Sequence, residues 1–522
     1  VCLDRIRHVK CDETKPICQR CSTKGYRCDG YTQFIQFTSD SLGKDARKRH
    51  LTPQCFQHTT TQPGGTSQRR LLPRACIPPA IGSANGAENA LLHHVRTCVV
   101  EDIAASRPSD FWYGYALPLS HSTAAINHAL CALGAAHRYF VSDPCNPGHA
   151  QSTTVFCTES MQRYNDAIAA LNPLLSSENT AHFDVVLICC AIFITIENLN
   201  GRSAEAARHL RAGCNIAKRF RSRQTSATTA LIGRDSIDNL LFTLQDMFYC
   251  FGQYLAMYIG VDAFADLDFN VPIISMGDPN VPFTSLKEAE MKFRNIDQTF
   301  NTRMWQAKAY SPQPVNIEEI FVDTTGSIES RAPAMNGDMR TAAKIAARSD
   351  LAVWRQRFQP LAQQKQNVRQ IAALDLDYAV WHIIAKAIDY SEDFPSAECE
   401  KILSIAEEII SMDAARGHPR FTFDGNMIWA LFYICFGTKD VAIHARCLEL
   451  LRRANRREGV WDSCDVAAIC ETAIKALNSN TLTWRDIPHG ILTLAEMLHI
   501  DLQGFSLQSM RDIEVEAAKR KC

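Results

Sequence analysis

The chain has 522 residues, 46% of them apolar, with 55 Lys/Arg against 56 Asp/Glu and a formal net charge of −1. That length suits two or more ordinary domains, or one large helical domain with appendages, and the near-neutral total singles out no partner class. Its 21 cysteines, many inside apolar runs such as LICCAIF (Leu187–Phe193) and with no signal peptide evident, argue against a secreted disulfide scaffold and for a reducing compartment, cytosol or nucleus.

Charge is unevenly spread along the chain. Residues 1–31 hold seven Lys/Arg and four Asp/Glu, and residues 32–86 seven against two, which leaves −9 on residues 87–522. A basic front on an acidic body points to a polyanion at the front. Residues 1–31 are cysteine-rich and too short for an apolar core. Residues 32–86, with KDARKRH (Lys44–His50) and runs such as IPPAIGSANG, have the Pro/Gly/Ser/Thr/Gln composition of a flexible linker. No heptad pattern marks a coiled coil there. KDARKRH suits a nuclear-import signal or an extra backbone contact to nucleic acid.

From Glu88 the texture is helical. Leu91, Val95, Cys98 and Val99 share one spacing; Ile126, Ala129, Leu130, Leu133 and Ala136 form a stripe; Tyr164, Ile168 and Leu171 line another face. VVLICCAIFITIENLNG followed by SAEAARHLRAGCNIAKRF reads as two helices joined by an Asn-Gly turn. Its apolar run VVLICCAIFIT spans 11 residues, against roughly 20 for a membrane helix, so it predicts a core helix and no membrane partner. Further helices are expected over Ser236–Tyr258, Ser285–Gln306, Asp375–Tyr390, Cys399–Arg416, Phe423–Phe436, Ala442–Ala454, Val466–Asn478 and Pro488–Ile500. Asp268–Ser285 reads as irregular and Val322–Met339 as an exposed loop. Strand patterns are sparse, and the expected body is all-α, built of antiparallel helices.

Four cysteines, Cys11, Cys18, Cys21 and Cys28, lie at C-x6-C-x2-C-x6-C spacing within Lys10–Tyr31, with lysines and arginines between them. Zinc favours thiolates in a tetrahedral shell, and Cys18-x2-Cys21 pre-sets part of one. Lys15-Pro16 supplies a fixed turn in the loop before Cys18. A segment this short owes its folding energy to the metal it binds.

Arg5–Tyr31 resembles the fungal binuclear zinc cluster, Zn2Cys6, whose pattern is C-x2-C-x6-C, a proline-containing loop, then C-x2-C-x6-C. Cys11, Cys18, Cys21 and Cys28 match its third to sixth cysteines. At the second stands Asp4 and at the first Val1, with Cys2 one place off. The resemblance implies two zinc ions, with Cys18 and the first cysteine bridging both. Two explanations stay open: a truncated or mis-set N-terminus, since the chain begins with Val, or Cys2 and Asp4 as substitute ligands. The resemblance further implies a short helix over Arg5–Lys10 entering the major groove of double-stranded DNA at GC-rich, CGG-like half-sites. Its base-reading pair falls on Arg7 and His8, and Arg5, Lys10, Arg20 and Lys24 fall where phosphates are contacted.

The body resembles the fungal-specific transcription-factor regulatory domain. The resemblance is carried by NHALCALGAAHRYF (Asn127–Phe140), YNDAIAALNPLL (Tyr164–Leu175), Val185–Gly213 with Glu197, His209 and Gly213, and VPFTSLKEAE (Val281–Glu290). It implies a nuclear, zinc-dependent regulator of RNA polymerase II transcription, with transcription machinery or co-regulators as partners and a homodimer as a further expectation. The chain is divided accordingly into 1–31 (zinc cluster, incomplete), 32–86 (linker) and 87–522 (regulatory body). A regulator that no longer binds DNA is the alternative. No G-x-S-x-G, Walker A, G-x-G-x-x-G or H-E-x-x-H motif is present, so no enzyme is expected. His93, His94, His121, His128 and His137 are read as helical histidines satisfied by local hydrogen bonds, and the seven dispersed tryptophans as core. A bundle of this size has room for an effector pocket.

Overall fold

In the computed structural model the described residues are 3–4, 9–10, 86–104, 110–142, 150–176, 182–223, 234–259, 274–309, 337–364, 366–386, 393–422, 427–482, 494–495 and 497–498. The chain divides into two units, Val1–Gln68 and Arg69–Cys522. In the first, β1 (Leu3–Asp4) pairs antiparallel with β2 (Val9–Lys10), in the register Leu3↔Lys10 and Asp4↔Val9.

The second unit is mainly α. It begins with α1 (Gly86–His94), which runs through a π-turn (Val95–Val99) into α2 (Val100–Ile103). A second π-turn (Trp112–Ala116) leads into α3 (Leu117–Ser120), and α4 (Ala124–Val141) follows. These wide turns, absent from the sequence reading, keep Val95, Val99, Trp112 and Ala116 buried in succession. α4 packs on α5 (Ala150–Ser176) and α6 (Phe183–Leu199). All 17 residues of α6 are buried, as expected of a helix apolar on every side: it is the axis of the larger core. α7 (Ser203–Arg223) returns along it. The Asn-Gly turn is as expected, with Gly201 at φ +69°, where a side chain would be strained.

α8 (Arg234–Ile259) packs on α6 and α7. Residues 274–285 are irregular and lead into α9 (Leu286–Ala309). The VPFTSLKEAE stretch is the start of this helix. Ser285 Oγ accepts from Glu288 N at 3.2 Å, and Glu288 accepts from Thr284 N at 2.8 Å, a close relative of the capping box. Arg357 clamps the irregular stretch, donating to Val281 O at 2.7 Å and to Glu288 at 3.0 Å.

Arg357 lies on α10 (Gly337–Ala362), a helix the sequence reading did not anticipate; Gly337–Met339, expected in a loop, open it. Its buried stripe, Ala343, Ala347, Leu351, Trp354, Phe358 and Leu361, starts with two alanines, which carry little apolar signal. With α9 and α11 (Val368–Lys386) it forms a second, smaller core around Trp354.

α12 (Ser396–Ala414), α13 (Met427–Gly437), α14 (Val441–Ala454) and α15 (Ser463–Asn478) complete the bundle. Asp440 and Asp462 cap the last two by accepting from Ala442 N and from Cys464 N. Among these helices sits a small sheet that the sequence did not announce: β3 (Arg420–Thr422) runs parallel to β4 (Arg456–Glu458), which pairs antiparallel with β5 (Trp461–Asp462). Strands of two or three residues carrying buried Arg and Glu lack the alternation that marks a strand. Of the tryptophans, Trp112, Trp354, Trp381 and Trp461 are buried, as expected of core residues. Most of Pro488–Ile500 lies outside the described residues, as do Val322–Asn336 and nearly all of the linker.

Candidate functional site

Of the expected metal and DNA residues, only Asp4 and Lys10 fall on described backbone, in β1 and β2. Cys2, Cys11, Cys18, Cys21, Cys28, Arg5, Arg7, His8, Arg20 and Lys24 lie outside the described residues. The helix implied over Arg5–Lys10 is corrected at its end: Val9 and Lys10 are extended and paired. β-branched Val9 suits a strand. The donor set of the stretch, closely spaced thiols with a carboxylate beside them, fits zinc. Among the described residues no group of three or more His, Cys, Asp or Glu is placed to hold a metal.

Among the described residues of the body, two buried polar centres stand out. In the first, the Tyr164 hydroxyl lies between His209 Nε2, at 2.9 Å, and the Glu197 carboxyl. Burial lowers His209 to about 4, so the imidazole is neutral. Burial also raises Glu197 to about 7, against the pull of Arg202, whose Nη1 is 3.8 Å away. Cys190 Sγ donates to His209 O at 2.9 Å. A Cβ on Gly213 would stand 2.8 Å from Phe248 Cζ and 3.0 Å from Cys190 Sγ, so α7 and α8 approach only because this residue has none. Glu197, His209 and Gly213, picked out in the sequence, are therefore the polar lock and close contact of α5, α6, α7 and α8.

The second centre escaped the sequence reading. Asp102, 1% exposed, accepts from His137 Nε2 at 3.1 Å, Arg420 Nη1 at 2.8 Å and Arg416 Nη1 at 3.1 Å. Burial raises the Asp102 carboxyl, but the His137 hydrogen bond and the Arg420 charge outweigh it and hold it below the usual range. Asp413 is gripped by the Arg369 fork, both contacts 3.1 Å, and by Arg456 Nη1 at 3.2 Å. Arg456 Nε lies 2.9 Å from Glu458, whose other oxygen accepts from Ile428 N. The chain of charges joins α2 and α4 to α11, α12, β3 and β4. His94 Nε2 bonds His137 Nδ1 at 3.1 Å; burial, then His137, lowers His94 to about 3 and keeps it neutral. These histidines are thus satisfied by tertiary bonds rather than local ones. Buried networks of this kind favour one packing arrangement, although among the described residues Arg420 Nε and Nη2 have no hydrogen-bond partner.

A cysteine-rich basic front and a helical body locked by its own polar centres are the two parts to be placed. Family models match both: the fungal Zn(2)-Cys(6) binuclear cluster domain over residues 2–37, and the fungal specific transcription factor domain over residues 91–247. The two matched domains and the names of the similar proteins indicate a transcription regulator, not an enzyme. The chain is similar to the aspercryptin biosynthesis cluster-specific transcription regulator atnN of Emericella nidulans, with 23% identity covering 88% of this chain and 84% of that one. It is also similar to the transcription regulator lscL of Purpureocillium lilacinum, with 29% identity covering 43% of this chain and 50% of that one. No solved structure matches significantly. The cluster domain belongs to a zinc-binding family. No helix among the described residues is long and apolar enough to cross a membrane.

Proposed function

We propose that the chain is a sequence-specific, zinc-dependent DNA-binding regulator of RNA polymerase II transcription in a fungal nucleus. Residues 1–31 are the metal-folded reader, 32–86 the tether and 87–522 the regulatory body that meets transcription machinery or co-regulators. The observation that carries this reading is the zinc-cluster match over residues 2–37, on a stretch whose thiols and basic residues have the required chemistry. Zinc, when bound, supplies the folding energy of the reader. Cys11, Cys18, Cys21 and Cys28 hold it, and Cys2 and Asp4 complete the shell of two ions. What supports Cys2 is the pairing of its neighbour Leu3 with Lys10, the neighbour of Cys11.

Arg7 and His8 read base edges of CGG-like half-sites, and Arg5, Lys10, Arg20 and Lys24 hold phosphates. The relative matched along most of its length is described as specific to a biosynthesis cluster, which supports a dedicated biosynthetic gene set as the target. Asp4 and Val1, standing where the family has cysteines, favour a second reading: a regulator that has lost DNA binding. Zinc stoichiometry of the full chain separates the two. Two ions per chain are expected for the reader, and none or one for the second reading. A salt-dependent gel shift on CGG duplex is also expected, with Arg7→Ala losing ~1–3 kcal/mol of discrimination. Unchanged affinity and preference in that variant would rule out groove contact by Arg7.

A further inference from the structure

Where α8, α9, α11 and α13 converge lies a cavity of about 50 Å³, open on one side. It sits on the seam of the two cores: Cys250 and Val380 belong to the larger, Phe293 and Trp381 to the smaller. Its walls are aromatic, from Tyr254, Phe293, Trp381 and Trp429. Its charged lining is two carboxylates, Asp297 and Asp377, and one guanidinium, Arg294. Arg294 is itself bound by Asp246 and Glu290, so the surroundings of the cavity are net acidic. Asp377 is 4% exposed and the neighbouring Gln253 5%. Gln253 is held in place by donating to the Tyr249 hydroxyl, and Asp297 accepts from Asn301 at 2.8 Å.

Two carboxylates beside open space set up a field that attracts positive charge. Ring faces attract a cation through their quadrupoles, and in a desolvated site the two attractions reinforce each other. An anion meets the opposite field. By the measure in which one water needs about 10–15 Å³, the cavity holds roughly three to five waters, the size of a cationic head group rather than of a whole drug-like ligand.

We propose that this cavity is an effector site for a small organic cation, a primary amine or guanidine. Its head lies against the aromatic walls with its charge towards Asp297 and Asp377, and its tail leaves through the open side. Because the lining comes from both cores, an occupant ties α8 and α13 to α9 and α11 and stabilises the body by mass action. The site does not depend on how residues 1–31 function.

The test is calorimetric titration of the full chain with n-butylammonium and n-butylguanidinium, against n-butanoate and 1-butanol at the same ionic strength. The cations are expected to bind, to quench tryptophan fluorescence and to raise the Tm, with the anion and the alcohol at least about ten-fold weaker. Asp377→Asn and Asp297→Asn are each expected to weaken cation binding at least about ten-fold. Circular dichroism checks each variant's fold. Should Asp377→Asn unfold, Asp297→Asn and the half-buried Trp429→Leu decide the matter. Equal binding of cation and anion, unchanged affinity in the folded variants, or no cation binding up to about 10 mM would each overturn the proposal.

Discussion

In residues 1–31 five cysteines alternate with lysines and arginines, whereas in the body Cys189, Cys190, Cys435, Cys447 and Cys470 are buried among aliphatic side chains. Burial pushes the thiols of Cys131 and Cys399 up to about 12. For Cys447 a hydrogen bond with Cys435 adds to burial in the same direction. A thiolate binds metal and a thiol packs, so the same residue type serves opposite ends in the two regions. The lesson is about what holds each region together. The front has thiols at ligand spacing in a stretch too short for an apolar core, while the body has an apolar axis, α6, and internal ion pairs.

The largest effect is expected from Cys18→Ala. Structural zinc contributes roughly 10–16 kcal/mol of apparent binding energy. The variant should lose zinc and DNA retardation while the body's helical dichroism and thermal transition stay in place. Retention of full zinc content would place the metal elsewhere and end the contrast between the regions.

Asp102→Asn tests the body from the other side. It leaves Arg420, 2% exposed, without its nearest counter-charge, and should cost ~3–5 kcal/mol in urea unfolding with zinc content unchanged. A loss below 1 kcal/mol would show that the network does not bind the two ends of the body together.

Glu197→Gln should act through pH. The folded carboxyl is raised from 4.5 to about 7, so between these values the folded state keeps a proton that the unfolded chain has released. Its contribution is fully present below about 4.5 and is lost as pH rises through about 7, at up to ~1.4 kcal/mol per pH unit. The variant should flatten that limb of the stability–pH curve. A slope equal to that of the parent would mean that another group carries it. The smallest effect is expected for Cys470→Ala, on the order of 1 kcal/mol for one lost buried sulfur, with zinc stoichiometry untouched. A fall in zinc content would blur the division of the thiols.

Much of the body is legible along the chain. The α6–α7 hairpin is announced by its apolar run and the Asn-Gly turn, and α8, α9, α12, α14 and α15 lie within a few residues of their expected places. α10 was not legible: its stripe opens on Ala343 and Ala347, which pack without being strongly apolar, while the larger Ile345 is exposed. Glu197, His209 and Gly213 were legible as a motif but not as a lock, since the partners Tyr164 and Phe248 come from other helices. The cavity at Asp377 had no signal in the sequence at all. It is made by four helices, and its lining residues belong to no recognisable motif.

By itself the sequence determined the helical class of the body and the thiol spacing of the front, because periodicity and spacing are relations between near neighbours in the chain. Only the tertiary structure decided which buried charges neutralise one another. Asp102 and Arg420 stand 318 positions apart, and a carboxylate and a guanidinium can both be buried only where the packed helices bring them within bonding distance.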